Sequence, residues 1–103
     1  MENTMTGVCN LAKAVNYDTD KINKKVVFEQ GALKGMVLAF SKGQGMKPHT
    51  SPVDVFVMVL EGSVKITIEE TPCELHALDS LRFAAGQLHA LEALTDFKML
   101  LVK

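Results

Sequence analysis

A chain of 103 residues with 48% hydrophobic and 22% charged side chains fits one packed domain, and a second is not expected. Eleven Lys and Arg against twelve Asp and Glu leave a net charge of -1, dispersed along the chain, which excludes the concentrated basic surface that nucleic acid or an anionic bilayer demands. The longest apolar stretch, 55–60, falls far short of the ~20 residues of a spanning helix, and no basic segment followed by an apolar run opens the chain, so a soluble, cytoplasmic protein is expected.

Residues 1–24 read as an irregular arm. Asn3, Thr4, Thr6, Gly7, Asn10, Asn16, Asp18, Thr19 and Asp20 are turn or cap formers, and the one apolar cluster among them, Leu11, Ala12, Ala14 and Val15, supports a single helical turn. From residue 25 to 103 short apolar runs recur every 8 to 12 residues between Gly, Pro or charged breaks, the pattern of an all-β sandwich or barrel. Strands are predicted at 26–30, 35–41, 53–60, 63–69, 73–77, 81–84, 89–94 and 97–102, and eight short strands suit a jelly roll.

Two of these strands carry different burial signals. In 63–69, Val64, Ile66 and Ile68 fall on one face and Lys65, Thr67 and Glu69 on the other, as in a sheet wetted on one side. In 53–60, Val53, Val55, Val57 and Val59 alternate with Phe56, Met58 and Leu60, so both faces are expected to be buried. So small a chain cannot cover the outer face of its own sheet. Either the arm or a second copy supplies the cover, and a homodimer is expected. Residues 60–63 read as a tight hairpin around Gly62. Cys9 and Cys73 match no short-spaced metal or redox motif and are expected to be reduced, packed thiols. Met36, Met58 and Met99 read as filler of the core or interface.

Two histidines follow glycine-containing loops at strand mouths: Gly43 precedes His49 by six residues, and Gly86 precedes His89 by three. If their strands are neighbours, both imidazoles enter one cavity, an arrangement that holds a divalent metal or shuttles protons. His76, between Leu75 and Ala77, reads as an ordinary rim residue. No cysteine lies near either matched histidine, and neither a phosphate-cradling glycine loop nor paired carboxylates on one strand face are present, which sets aside nucleophilic and phosphoryl-transfer catalysis.

The segments 43–62 and 84–89 resemble the two sequence motifs of the cupins. Gly43, His49 and Gly62 match the first motif, with Ser51 where a second His belongs and Val55 where a Glu belongs. Gly86 and His89 match the second, with Leu78, Ala84 and Ala93 in place of its Gly, Pro and Asn. The run His49-Thr50-Ser51-Pro52-Val53-Asp54 is similar to a group of compact single-domain, RmlC-like cupins, mostly of undefined function. The resemblance implies a double-stranded β-helix, or jelly-roll barrel, with a cavity inside.

It also implies a metal site of three imidazoles and one carboxylate, of which two imidazoles remain here. The expected metal ligands are therefore His49 and His89, with Zn, Mn, Ni or Fe weakly held and Ser51, Gln44, Asp54 or water completing the shell. The expected ligand-binding set is His49, Ser51, Asp54 and His89. Strict alternation turns Asp54 away from the pocket, where it would accept hydrogen bonds from loop amides, whereas a bulge at Pro52 would turn it inward as a ligand or base. Three functions follow: a small-molecule-binding cupin with a weak two-histidine centre, a non-enzymatic ligand sensor, or a structural dimer with a vestigial pocket. Whether the protein is an enzyme is left open at this stage.

Overall fold

The computed structural model describes residues 7–103. Positions 1–6 of the expected arm lie outside the described residues. Nine strands follow one another: β1 Asn23–Gln30, β2 Leu33–Phe40, β3 Gly45–His49, β4 Val55–Glu61, β5 Ser63–Ile68, β6 Thr71–His76, β7 Ser80–Phe83, β8 His89–Ala93 and β9 Phe97–Val102. They form two antiparallel sheets, a five-stranded one in the order β1-β2-β9-β4-β7 and a four-stranded one in the order β3-β8-β5-β6. This is the expected jelly roll. Among the described residues no helix is long and apolar enough to cross a membrane.

Alternation puts one stripe of each strand between the sheets. Across the larger sheet Leu38 pairs with Met99 and Met99 with Val59, and one step along Met36, Leu101, Val57 and Leu81 form the next inward row. Val64, Ile66, Leu75, Leu91 and Ala93 answer from the smaller sheet, and these side chains make one core. Phe40 and Phe97, fully buried and directly paired, stack with ring centroids 4.7 Å apart at one end of it. Burying each such ring is worth roughly 1.5–3 kcal/mol.

The hairpin from β4 to β5 forms where it was expected. Gly62 has φ 79°, and a Cβ there would lie 2.0 Å from the Asp96 carbonyl oxygen, so backbone conformation and space both demand glycine. A ninth strand, β3, was not anticipated, because Gly45, Lys47 and Pro48 carry no apolar alternation. Its pairing explains its composition. A Cβ at Gly45 would lie 2.2 Å from the Leu91 carbonyl oxygen of β8, so only glycine permits the approach.

The strand expected at 53–60 begins at Val55, and its two faces are not equally buried. Val53 lies outside the strand and is exposed, Val55, Val57 and Val59 are buried in the core, and Phe56 on the outer face is exposed. The arm covers part of that outer face. A single 3-10 turn at Leu11–Lys13, capped by the Asn10 side chain accepting from the Ala12 amide, leads Val15 onto Val37 and Ala39, with Tyr17, Leu60 and Leu100 packed around them. Tyr17 donates to Glu61 Oε2, and the buried Lys98 ammonium donates to the Ala12 carbonyl, faces Glu61 at 3.9 Å and lies 4.8 Å from the Tyr17 ring. Beside the arm, Phe28, Gly35, Val102, Phe56 and Arg82 pair in one row across all five strands; Phe28, Phe56 and Arg82 are exposed, Val102 is half-buried and Gly35 buried. Cys9 is exposed in the arm rather than packed as expected, whereas Cys73 is half-buried against the core.

Candidate ligand cavity between the sheets

A bulge in β3 creates the site. Gly45 pairs with Glu92 and Met46 with Leu91, but the next partner of β8 is His49 with His89, so three residues of β3 span two of β8. Pro48, which has no amide hydrogen for the ladder, sits in this irregularity. Met46 and Leu91 face the cavity, and without the bulge His49, an odd number of residues further on, would point away from it. The bulge restores its parity. The two imidazoles therefore meet directly across the strand pair, with ring centroids 4.2 Å apart and planes at 63°. Phe83 of β7 packs on the other side of His89 at 4.0 Å.

Hydrogen bonding fixes the Nδ1 proton of both rings. His49 Nδ1 lies 2.7 Å from the Lys47 carbonyl oxygen and His89 Nδ1 lies 3.0 Å from that of Gln87. A carbonyl only accepts, so each Nδ1 carries a proton, and in the neutral ring the remaining acceptor is the Nε2 lone pair. Neither Nε2 has a hydrogen-bond partner among the described residues, although His89 is only 4% exposed. Burial holds the His89 pKa below the ordinary imidazole value; the Gln87 carbonyl opposes this, and the His49 and Lys103 charges add to it.

The rings line a cavity of about 340 Å³, within the size range of small-molecule sites. Its walls are apolar, from Met36, Leu38, Val57, Leu91, Met99 and Leu101 of both sheets. Its polar groups are His49, His89, Thr50, Ser51, Lys24 and Lys103, and no Asp or Glu lines it.

The four expected site residues separate here. His49, His89 and Ser51 line the cavity, but Asp54 does not. Its Oδ1 accepts from the Ala85 amide at 2.9 Å, and the Gly86 amide donates to the Ser51 carbonyl at 2.9 Å, so Asp54 ties the loop before β4 to the loop before β8. Gln44 is likewise engaged elsewhere, accepting from the Ser41 amide and donating to the Asp18 carbonyl. His76 stands exposed beside Glu74, 3.0 Å away. Met36 and Met99 line the cavity, while Met58 lies half-buried on the outer side of β4.

A resident divalent ion does not fit these groups. The donors reduce to two Nε2 atoms and the Thr50 and Ser51 hydroxyls, of which Ser51 already accepts weakly from the Val53 amide at 3.3 Å. No cluster of three or more His, Cys, Asp or Glu able to hold a metal occurs among the described residues. Lys24 and Lys103 add positive charge where a carboxylate would have to compensate a dication.

Both lysines were missed in the sequence. Lys24 lies opposite Leu38, on the inward row, but the predicted first strand began after it. Lys103 continues the inward parity of Met99 and Leu101 beyond the end of β9. The signal in each case was a period of two counted through a charged residue.

A jelly roll with paired histidines inside its barrel is the architecture of the cupins. Residues 36–103 match the Cupin domain family, and the chain belongs to it. Its structure is similar to that of a conserved protein of unknown function from Streptococcus pyogenes, at 31% identity and a TM-score of 0.87 over 95% of this chain and 86% of the other. It is similar also to a cupin 2 conserved barrel domain protein from Leptotrichia buccalis, at 34% identity and a TM-score of 0.84 over 91% of this chain and 46% of that one. A cupin superfamily protein from Desulfitobacterium hafniense shares the fold at 19% identity, with a TM-score of 0.89 over 99% and 94% of the two chains. No curated protein matches the sequence.

Proposed function

We propose that this cupin binds a small polar molecule in the cavity between its sheets, using His49, His89 and Ser51, and that any divalent ion it takes up is held weakly and exchangeably. The observation that carries the reading is the pair of imidazoles locked by backbone carbonyls with both Nε2 atoms unpartnered, one of them buried. Leaving a buried acceptor unpaired costs about 1–3 kcal/mol, and a ligand that donates to it recovers that cost. The experiment is metal analysis of untagged protein, with and without added Zn, Mn, Ni or Fe, beside thermal-shift screening of small organic ligands. The expected result is substoichiometric metal, unchanged melting with chelator, and ligand-induced stabilisation that His49→Ala and His89→Ala abolish. A flat ligand screen with unaltered variants would favour a structural protein with a vestigial pocket.

We propose further that two copies pair through the uncovered outer row containing Phe28 and Phe56, since alternating apolar residues there remain open beside the arm. Light scattering should give twice the chain mass for the natural sequence and the single-chain mass for Phe28→Glu/Phe56→Glu. A monomer in both cases removes the idea.

A further inference from the structure

The polar groups of the cavity have a definite complement. With Nδ1 donating to a carbonyl, each imidazole offers its Nε2 lone pair in the neutral form, and the buried His89 Nε2, which has no partner among the described residues, calls for a donor from the ligand. Lys24 and Lys103 line the cavity while remaining solvent-exposed, so their ammonium groups are available to an acceptor, and among the described residues neither makes an ion pair. Both sit at inward positions. Lys24 is paired with Leu38, and the Lys103 backbone is anchored by reciprocal bonds with Lys34, its amide donating at 2.9 Å and its carbonyl accepting at 2.7 Å. With no Asp or Glu in the lining and low-dielectric walls, the field inside favours an anion.

An inward lysine on an edge strand also guards against strand pairing, and this alone would account for Lys24 on β1. It does not account for Lys103, which ends the central strand β9, or for the orphaned imidazole nitrogen. One ligand chemistry meets all three observations.

We propose that the cavity takes a small hydroxycarboxylate with an apolar body: its hydroxyl donates to an imidazole Nε2, its carboxylate faces Lys103 and Lys24, and its body lies against the methionine and leucine walls. The assignment rests on the reading of the cavity as a ligand site and adds the ligand class to it.

Chelator-treated protein is titrated calorimetrically with two matched sets. One is mandelate, phenylacetate and mandelamide; the other is 2-hydroxyhexanoate, hexanoate and 2-hydroxyhexanamide. Each hydroxy acid should bind about 10-fold more tightly than the acid lacking the hydroxyl and than the amide lacking the charge. Lys24→Gln/Lys103→Gln should erase the preference over the amide, and His89→Ala the preference over the plain acid. Equal affinity for all three members of each set, lost in His49→Ala/His89→Ala, would overturn the hydroxycarboxylate assignment and leave the ligand site standing. No binding of any compound, with the histidine variants melting like the natural protein, would overturn both. The comparison among compounds on the unaltered protein decides the matter even where a variant fails to fold.

Discussion

The outer face under the arm and the cavity between the sheets use the same residue types to opposite ends. Lys98 is buried, and its ammonium is answered by the Ala12 carbonyl, Glu61 and the Tyr17 ring. The Tyr17 phenol, pushed well above its usual pKa by burial and by Glu61, stays protonated as the donor that closes the cluster. At the cavity, the exposed Lys24, Lys103 and His49 and the buried His89 have no partner among the described residues for their ammonium groups or Nε2 atoms. Internally satisfied polar groups hold an element in place; unsatisfied ones in a concave site are the groups on which the proposed ligand reading rests.

Breaking the satisfied cluster should have the largest effect on stability. Lys98→Ala is expected to cost about 2–3 kcal/mol in urea unfolding, because it strips the arm of its anchor, leaving the Ala12 carbonyl without its donor and Glu61 without the cation facing it. Lys98→Met, which keeps the stem over the sheet, should cost about half as much. Equal and negligible losses would show that the arm is held by Val15 and its apolar neighbours alone.

The cavity should show itself through pH. His89 has a folded pKa below the ~6.5 of an unfolded imidazole, and Lys103 and His49 are the charged or titratable groups acting on it. Above pH 6.5 both folded and unfolded chains carry it neutral, so it adds no pH dependence. As the pH falls below 6.5 the unfolded chain takes up the proton first, and stability declines until the folded pKa is passed. His89→Leu should therefore flatten the fall in unfolding free energy between pH 7 and 5 relative to the natural protein. An identical slope in the two proteins would assign the acid loss to other groups.

The smallest effect sharpens the contrast from outside both regions. Leu78, exposed in the turn between β6 and β7, has φ 74°, a conformation costing an L-residue about 1–2 kcal/mol, and it stands where the cupin motif carries glycine. Leu78→Gly should stabilise the chain by about 0.5 kcal/mol, the relief of strain less the greater freedom of glycine when unfolded. No change in the urea midpoint would mean that the turn relaxes around the leucine.

Much of this was legible before any coordinates. The alternation of Val64, Ile66 and Ile68, the Gly62 hairpin and the spacing of short apolar runs gave the sheets, and the loops before His49 and His89 pointed to both imidazoles. Asp54, just ahead of β4, lies outside the cavity lining, and its carboxylate accepts from a loop amide, that of Ala85. The bulge at Pro48 was invisible because it is defined by the partner strand: only the pairing of three residues of β3 with two of β8 reveals it. Lys24, Lys98 and Lys103 are alike in composition, and their different surroundings arise from strands distant in the chain.

The sequence by itself determined the class of fold, since a period of two broken by glycine and proline leaves a β-rich chain few ways to bury its apolar stripe. The tertiary structure decided which polar groups meet: cross-strand register and one irregular residue set which side of a sheet each ring or ammonium occupies, and neither is a local property. The answered, buried cation under the arm and the exposed ones lining the cavity owe their difference to that.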